Sequence, residues 1–439
     1  MFILMAVVFV LGYLAIALEH PLRVNKAASA ILTGAVVWTI LMLGRDSIFP
    51  EAEAHGYEGL IHHLLEHLGD IASILFFLMG AMTIVELIDV HEGFRVITDR
   101  ISSTKKTSLL WVVGLITFFL SSVLDNLTTA IVMCALLRKL IKDKETLWLF
   151  AGVVVIAANA GGAWSPIGDV TTIMLWVGGQ VTTVNIIVKL IAPSLVAMIL
   201  PLIWFSFTMK GNVERPDTVK PAGHHGGSVT PGERNLVFIL GVGALLFVPI
   251  FKAVTHLPPF MGVMLGLGVL WIVTEVIHMK HGVDQRGDLM VTAVLRRIDL
   301  PSVLFFLGIL VAVAGLQVAG HLTLMAQTLD KTLGNIFLIN GAIGILSSIV
   351  DNVPLVAAAM GMYPMTQFPA DHLFWELLAL CAGTGGQFAD HRISSGCGGH
   401  GDHPHRLRVV CEEDDLSCGS WLFRGHHHLL ADVALSRVP

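Results

Sequence analysis

Charge is what this sequence has least of. Only 14% of its 439 residues are Asp, Glu, Lys or Arg, where a soluble domain carries about 25%. A water-facing globule of ordinary composition is therefore excluded. The formal net charge of -6 says little, because membrane proteins sort charge by side; no nucleic-acid partner is expected. Cysteine is scarce as well. Cys134 and Cys381 stand in apolar stretches, Cys397, Cys411 and Cys418 near the end, and no two are spaced as CxxC. Zinc-ribbon spacing is thus absent. The run His426-His427-His428 is not a set of ligands on one helix face. No cofactor is expected.

What fills the chain instead is apolar. Hydrophobic residues make up 54%, and the mean hydropathy is +0.76. Long apolar runs recur, among them 2–18, 27–44, 185–208, 235–251 and 300–318. Each can cross a hydrocarbon layer about 30 Å thick as a helix. The expected fold is an all-α polytopic membrane protein in contact with a lipid bilayer. The first run has no basic flank before it and no clear cleavage site, so it reads as a retained helix rather than a removed signal peptide.

Positive charge marks the sides. Loops 19–26, 89–107, 138–146, 209–234 and 279–299 hold eighteen Lys and Arg, whereas loops 45–60, 180–184, 253–258, 318–334 and 364–371 hold two, Arg45 and Lys331. Short cytoplasmic loops collect such residues, so the first set faces the cytoplasm. Segment 108–137 breaks simple alternation, because basic loops flank it at both ends. It enters and leaves on one side, and "SSVLDN" lies at its midpoint. That is the pattern of a re-entrant hairpin, whose irregular tip is tolerated only inside protein or a watery cavity. Segment 335–363 has "SSIVDNVP" at its midpoint and only Lys331 in its flanks, so it dips in from the external face.

The two hairpins belong to a repeat. Ser121-Ser122-x-x-Asp125-Asn126 returns as Ser347-Ser348-x-x-Asp351-Asn352. Before each comes "LFFLMGAM" (75–82) or "LFFLGILV" (304–311); after each comes a glycine-rich break, "NAGGAWSPIGD" (159–169) or "AGTGG" (382–386). The expected organisation is two inverted repeats, each with a re-entrant hairpin and a broken transmembrane helix. Residues 1–208 form one half, 209–234 a cytoplasmic linker and 235–386 the other half. Inverted repeats with discontinuous helices and midplane sites mark secondary transporters.

A carboxylate at mid-membrane is a functional-site hypothesis by default. Alkali cations are hard ions that prefer oxygen. The first hairpin offers Ser121, Asp125 and Asn126, and the break at 159–169 offers Asn159, Asp169, Thr171, Thr172 and backbone carbonyls freed around Pro166. The second hairpin offers Ser347, Asp351 and Asn352. Burial disfavours the ionised carboxyl and a bound cation favours it, so Na⁺ or Li⁺ and H⁺ compete for the same oxygens. A structural role for Asp125 needs a basic partner, and the only candidate within an apolar segment is Lys189. His63, Asp70 and Glu86 are accessory candidates for pH sensing. "HHLLEHLGD" (62–70), which carries two of them, reads as an amphipathic interfacial helix.

Three stretches, "FFLSSVLDNLTTAIVMCALLRKLI", "NAGGAWSPIGDVTTIMLW" and "SSIVDNVPLVAAAM", resemble the NhaD-type sodium/proton antiporters of the ion transporter superfamily. The likeness runs from about residue 1 to 386. It implies two hairpin tips and two broken helices around one transport site, Na⁺ or Li⁺ exchanged for H⁺, a homodimer and a bacterial inner membrane. Carried over, it implicates the same residues, from Ser121, Asp125 and Asn126 to Asp351 and Asn352. A Na⁺-coupled carboxylate or oxyanion carrier of the same superfamily is the alternative. An intramembrane aspartyl protease is a remote one, because "PIGD" lacks the GxGD spacing. Residues 387–439 are an atypical tail. They hold three of the five cysteines and no span-length apolar run, and a frame shift near codon 387 would explain the change.

Overall fold

The computed structural model describes residues 1–49, 56–99, 101, 103–215, 229–279, 289–348 and 351–385. The chain divides into two compact units, Met1–Ala389 and Asp390–Pro439. Everything described lies in the first, and the atypical tail lies outside the described residues.

Among the described residues, fifteen helices of eight residues or more build the protein. They are α1 (Phe2–Ala17), α2 (Lys26–Leu43), α3 (Tyr57–Val90), α4 (Lys106–Leu124), α5 (Asn126–Leu140), α6 (Lys144–Ala163), α7 (Val170–Val177) and α8 (Thr183–Thr208). After the linker come α9 (Pro231–Thr255), α10 (Pro259–His278), α11 (Leu300–Val318), α12 (His321–Thr332), α13 (Ile336–Ser347), α14 (Asn352–Met362) and α15 (Leu373–Gly385). Eight of them are long and apolar enough to cross a membrane; this is a multi-pass helical membrane protein. Helix starts are written locally. Asn25, Asp143, Asp299 and Asn335 each accept a hydrogen bond from a backbone N–H of the turn that follows. Thr230 and Glu233 form a capping box around Pro231. These side chains satisfy N–H groups that a first helical turn leaves open.

One expectation is corrected. Residues 62–70 are not a separate interfacial helix but the opening turns of the 34-residue α3. At 1.5 Å per residue that helix is about 51 Å long and outruns the hydrocarbon layer. Gly69 is the one weak helix former at the junction, and a single glycine costs only about 1 kcal/mol.

The ends of the helices gather at two poles. At one pole the Lys106 N–H donates to the Gly211 carbonyl at 3.0 Å and the Lys142 N–H to that of Glu214 at 2.9 Å. Lys106 Nζ reaches Thr146 Oγ1 at 2.9 Å. Segment 106–140 therefore opens and closes at one pole, and α4 and α5 are separated only by Asp125, at φ 109°. At the other pole the Tyr363 hydroxyl donates to Asp330 Oδ1 at 3.0 Å. There the Asp371 N–H meets the Gln180 carbonyl at 2.8 Å, and Phe2 stacks on His321 at 3.6 Å. The hairpin of α13 and α14 opens at that second pole.

The sequence repeat is also a repeat of contacts. Ser121 Oγ donates to the Ala158 carbonyl at 2.5 Å, and Ser347 Oγ to that of Ala382 at 3.0 Å. A Cβ on Gly161 would strike the Phe118 carbonyl, and one on Gly385 that of Gly344. Both hairpins thus press backbone to backbone on the helix that follows.

Around them lies a frame that crosses the halves. α2 packs on α11, where a Cβ on Gly34 would stand 2.7 Å from the Gly308 carbonyl and where Trp38 Nε1 donates to Val311 O at 2.8 Å. α3 packs on α10, with Gly80 against Val263 and the Phe76 and Phe260 rings 6.3 Å apart. Small residues let membrane helices approach this closely. Inside the frame, α6 meets α15 and α7 meets α14.

Candidate functional site

The first site residue is set by a helix start. Asp125 stands alone between α4 and α5 and caps α5: Oδ1 accepts from the Thr128 N–H at 2.8 Å and Oδ2 from Thr128 Oγ1 at 2.7 Å. A positive φ is costly for any residue but glycine, and aspartate tolerates it better than most. Asp169 does the same for α7. Its Oδ1 accepts from the Thr171 N–H and Oγ1, both at 2.8 Å, and its carbonyl from Thr172 Oγ1 at 2.8 Å. Two helix N-termini thus converge, each with its positive dipole end met by a carboxylate.

Asn126 joins the two. Its Nδ2 donates to Asn159 Oδ1 at 2.9 Å and to Asp169 Oδ2 at 2.7 Å, while its Oδ1 accepts from the Leu127 N–H at 2.9 Å. In this arrangement the amide nitrogen, not the oxygen expected as a cation ligand, faces the cluster. It holds two oxygens together as a cation would. Asp169, Thr171, Thr172, Asn159 and Ser121 are buried. Each carboxylate oxygen has lone pairs to spare beyond the bonds it accepts, so apart from the Asn126 nitrogen the cluster offers oxygens that suit a hard monovalent ion. Beside Asp125, between Phe77, Ala81, Leu124, Ile167 and Leu245, lies a cavity of about 20 Å³, which is room for one water-sized occupant.

The second hairpin reaches the same region differently. Asp351 caps α14, accepting from the Val353 N–H at 3.2 Å. α14 packs on α7, the helix that Asp169 caps. Ser347 is buried against Ala382, and Asn352 opens α14 half-buried. Asp351, however, pairs with Lys26 Nζ at 3.2 Å, and the same ammonium lies 3.8 Å from the centroid of the Phe305 ring. Sequence reasoning missed Lys26 because it had assigned the residue to loop 19–26. It is in fact the first residue of α2. Thr128 was missed too, although a hydroxyl three residues after an N-terminal Asp is an ordinary helix-start signal.

The remaining candidates lie elsewhere. Lys189 is exposed, and no ion pair to Asp125 occurs among the described residues. His63 sits 3.7 Å from Glu66 on the exposed part of α3. Asp70 is exposed there as well. Glu86 lies 4.0 Å from Arg297 Nη1, toward the pole where the basic loops meet.

Residues 1–383 match the citrate transporter family, CitMHS. Among characterised proteins, the chain is 48% identical over 382 residues to Sodium/proton antiporter 1 of Arabidopsis thaliana. That match takes in 87% of this chain but only 64% of the relative's length. It is 47% identical to Sodium/proton antiporter 2 of the same plant, across 87% of this chain and 88% of the relative. It is 30% identical to the Na(+)/H(+) antiporter NhaD of Alkalimonas amylolytica, across 86% and 80%.

Proposed function

The chain belongs to the citrate transporter family, and from that premise we propose that it exchanges Na⁺ for H⁺ across a membrane. The names of its relatives support sodium/proton exchange. The observation that carries the mechanism is the bridge of Asn126 to Asn159 and Asp169 beside the helix cap of Asp125. Two carboxylates this near to each other in a buried site cannot both stay ionised without a cation. Either Na⁺ binds among these oxygens or protons neutralise them, and loading by one releases the other.

The reading extends to sidedness. The pole holding Lys106, Lys142 and Gly211 is the cytoplasmic one, since basic loops cluster there. Inversion of the repeats has its own support. Arg45, just past α2, lies 3.6 Å from the ring centroid of Tyr57, the first residue of α3, so these two spans run in opposite directions. α11 runs parallel to α2, because Gly34 meets Gly308 and Val37 meets Gly315. The equivalent helices α3 and α11 are then antiparallel. Residues 1–208 and 235–386 form the two halves, joined by the linker 209–234. Li⁺ as a second substrate, a homodimer and a bacterial inner membrane belong to the same reading. The NhaD relative supports the bacterial location, while the Arabidopsis relatives offer a plant membrane instead.

The test is exchange in proteoliposomes carrying a ΔpH-quenched dye. Na⁺ or Li⁺ should release the quench in wild type and fail to do so in Asp125→Asn and Asp169→Asn. Exchange at the wild-type rate in both variants would overturn the reading. The family's description favours one second reading, a Na⁺-coupled carboxylate carrier. Citrate-dependent Na⁺ uptake without proton movement would establish it. In neither reading does the protein make or break covalent bonds, and two aspartates committed to capping their own helices give peptide hydrolysis no support.

A further inference from the structure

We propose that Lys26 is a built-in counter-cation that fills the second half-site, so that one exchangeable alkali ion is carried, in the first half. The proposal rests on the exchange reading above and specifies its ion count.

The two half-sites are not equivalent, and the repeat shows where they part. A left-handed residue precedes each of α2 and α10, Arg23 at φ 55° and His256 at φ 59°. The helices then open on Lys26 and Pro259. Each of these helices packs on a span from the other side of the duplication, so Pro259 is the residue that corresponds to Lys26 in the repeat. The counterpart of the ammonium that serves the second half-site is therefore a proline, which brings no charge to the first. Asp125 accepts from uncharged donors, the Thr128 N–H and hydroxyl among them, while Asp351 has a full positive charge at 3.2 Å.

A second difference points the same way. The Ser121–Ala158 and Ser347–Ala382 contacts fix the alignment, and one residue further on Asn159 corresponds to Gly383. The first half-site gains an amide oxygen there and the second has none. A Cβ on Gly383 would lie 3.9 Å from Asp169 Oδ2, so the glycine leaves space into which the first half's carboxylate leans.

The chemistry of the pair suits a permanent occupant. The Lys26 ammonium is attracted by a carboxylate and by the face of Phe305. Its side chain is 12% exposed, so water competes weakly. A free Na⁺ seeking the same oxygens must displace a cation that is tethered to the chain and already in contact at 3.2 Å. Asp351 stays neutralised through the cycle, and the exchangeable charge belongs to Asp125 and Asp169.

A double-mutant cycle on purified full-length protein tests this, read by equilibrium binding of radioactive Na⁺ at fixed pH. Wild type and Lys26→Arg should each bind one Na⁺ per chain with similar affinity. Asp351→Asn leaves a bare ammonium beside the cluster and should weaken binding on the order of tenfold. Lys26→Gln leaves a bare carboxylate and should tighten it. The double variant Lys26→Gln/Asp351→Asn removes both charges and should return to within about twofold of wild type. A double variant that binds as poorly as Asp351→Asn would make Asp351 a direct ligand and overturn the proposal, as would two Na⁺ per wild-type chain. If Asp351→Asn does not fold, equal affinities for Lys26→Gln and Lys26→Arg would overturn it. Wild-type binding by Asp125→Asn would instead overturn the exchange reading itself, and the proposal with it.

Discussion

Adding a single methyl group at Gly161 tests the packing on which the site depends. The glycine lies in α6 against the backbone of α4. A Cβ there would collide with the Phe118 carbonyl oxygen and stand 2.9 Å from both the carbonyl carbon and Cα, whereas ordinary contact begins at 3.4 Å. The obstacle is backbone, so no side-chain rotation relieves it, and α6 must retreat from the hairpin. Overpacking of this kind costs about 1–3 kcal/mol, and stretching the nearby Ser121–Ala158 bond forfeits about 1 kcal/mol more. Alanine returns at most about 1 kcal/mol of helix propensity. Gly161→Ala should therefore lose about 1–3 kcal/mol. Gly152 lies nine residues earlier on the same helix with nothing within 4 Å of its would-be Cβ, so Gly152→Ala should be neutral or gain up to about 1 kcal/mol. The repeat makes a matched forecast for Gly385→Ala, which meets the Gly344 carbonyl. Thermal unfolding in detergent, followed by size-exclusion fluorescence, ranks the variants. If Gly161→Ala and Gly385→Ala melt with Gly152→Ala, the close approach of hairpin and broken helix is wrong.

Other outcomes follow from the same geometry. Asn126→Ala removes one hydrogen bond to a carboxylate and one to an amide, a loss of about 2–4 kcal/mol. It should melt earlier than wild type in the absence of Na⁺ and recover part of the difference when Na⁺ is added; equal melting without Na⁺ would refute the bridge. His63→Gln and Asp70→Asn, on the exposed turns of α3, should leave the Na⁺/H⁺ exchange rate at the wild-type level in proteoliposomes. The Thr146 hydroxyl and N–H hold Asp143 below the usual carboxylate range. The stability this cap adds is present above the unfolded pKa and is lost as pH falls through the lowered one. Thr146→Val should narrow the gap in melting temperature between neutral and acidic pH. Sequencing the gene around codon 387 should reveal an inserted or deleted nucleotide; an uninterrupted frame in related strains would refute the frame-shift explanation.

Much of the architecture was legible because membranes impose simple rules. Apolar runs gave the spans, and basic loops at both ends set 108–137 apart from them. The Ser-Ser-x-x-Asp-Asn echo fell at the α4–α5 and α13–α14 junctions, and the Pro166 region between α6 and α7. The rest depended on contacts between distant segments. Nothing local to Lys26 says that it meets Asp351, because its position at the head of an apolar run also suits an interfacial lysine. The sequence supplies Asn126 as both donor and acceptor, and only its neighbours turn the nitrogen toward the cluster. The continuity of α3 through 62–70 was hidden by the histidines and acids there, which suggested a boundary that the backbone does not make.

The crossed frame constrains how such a protein can move. α2 is seated on α11 and α3 on α10, so each half's opening spans are clasped by the other half. Separating α2 from α11 and α3 from α10 would cost both of these contacts. On the exchange reading, the α4–α5 and α13–α14 segments would slide against these clasped spans, and a cross-link between α2 and α11 should leave turnover intact.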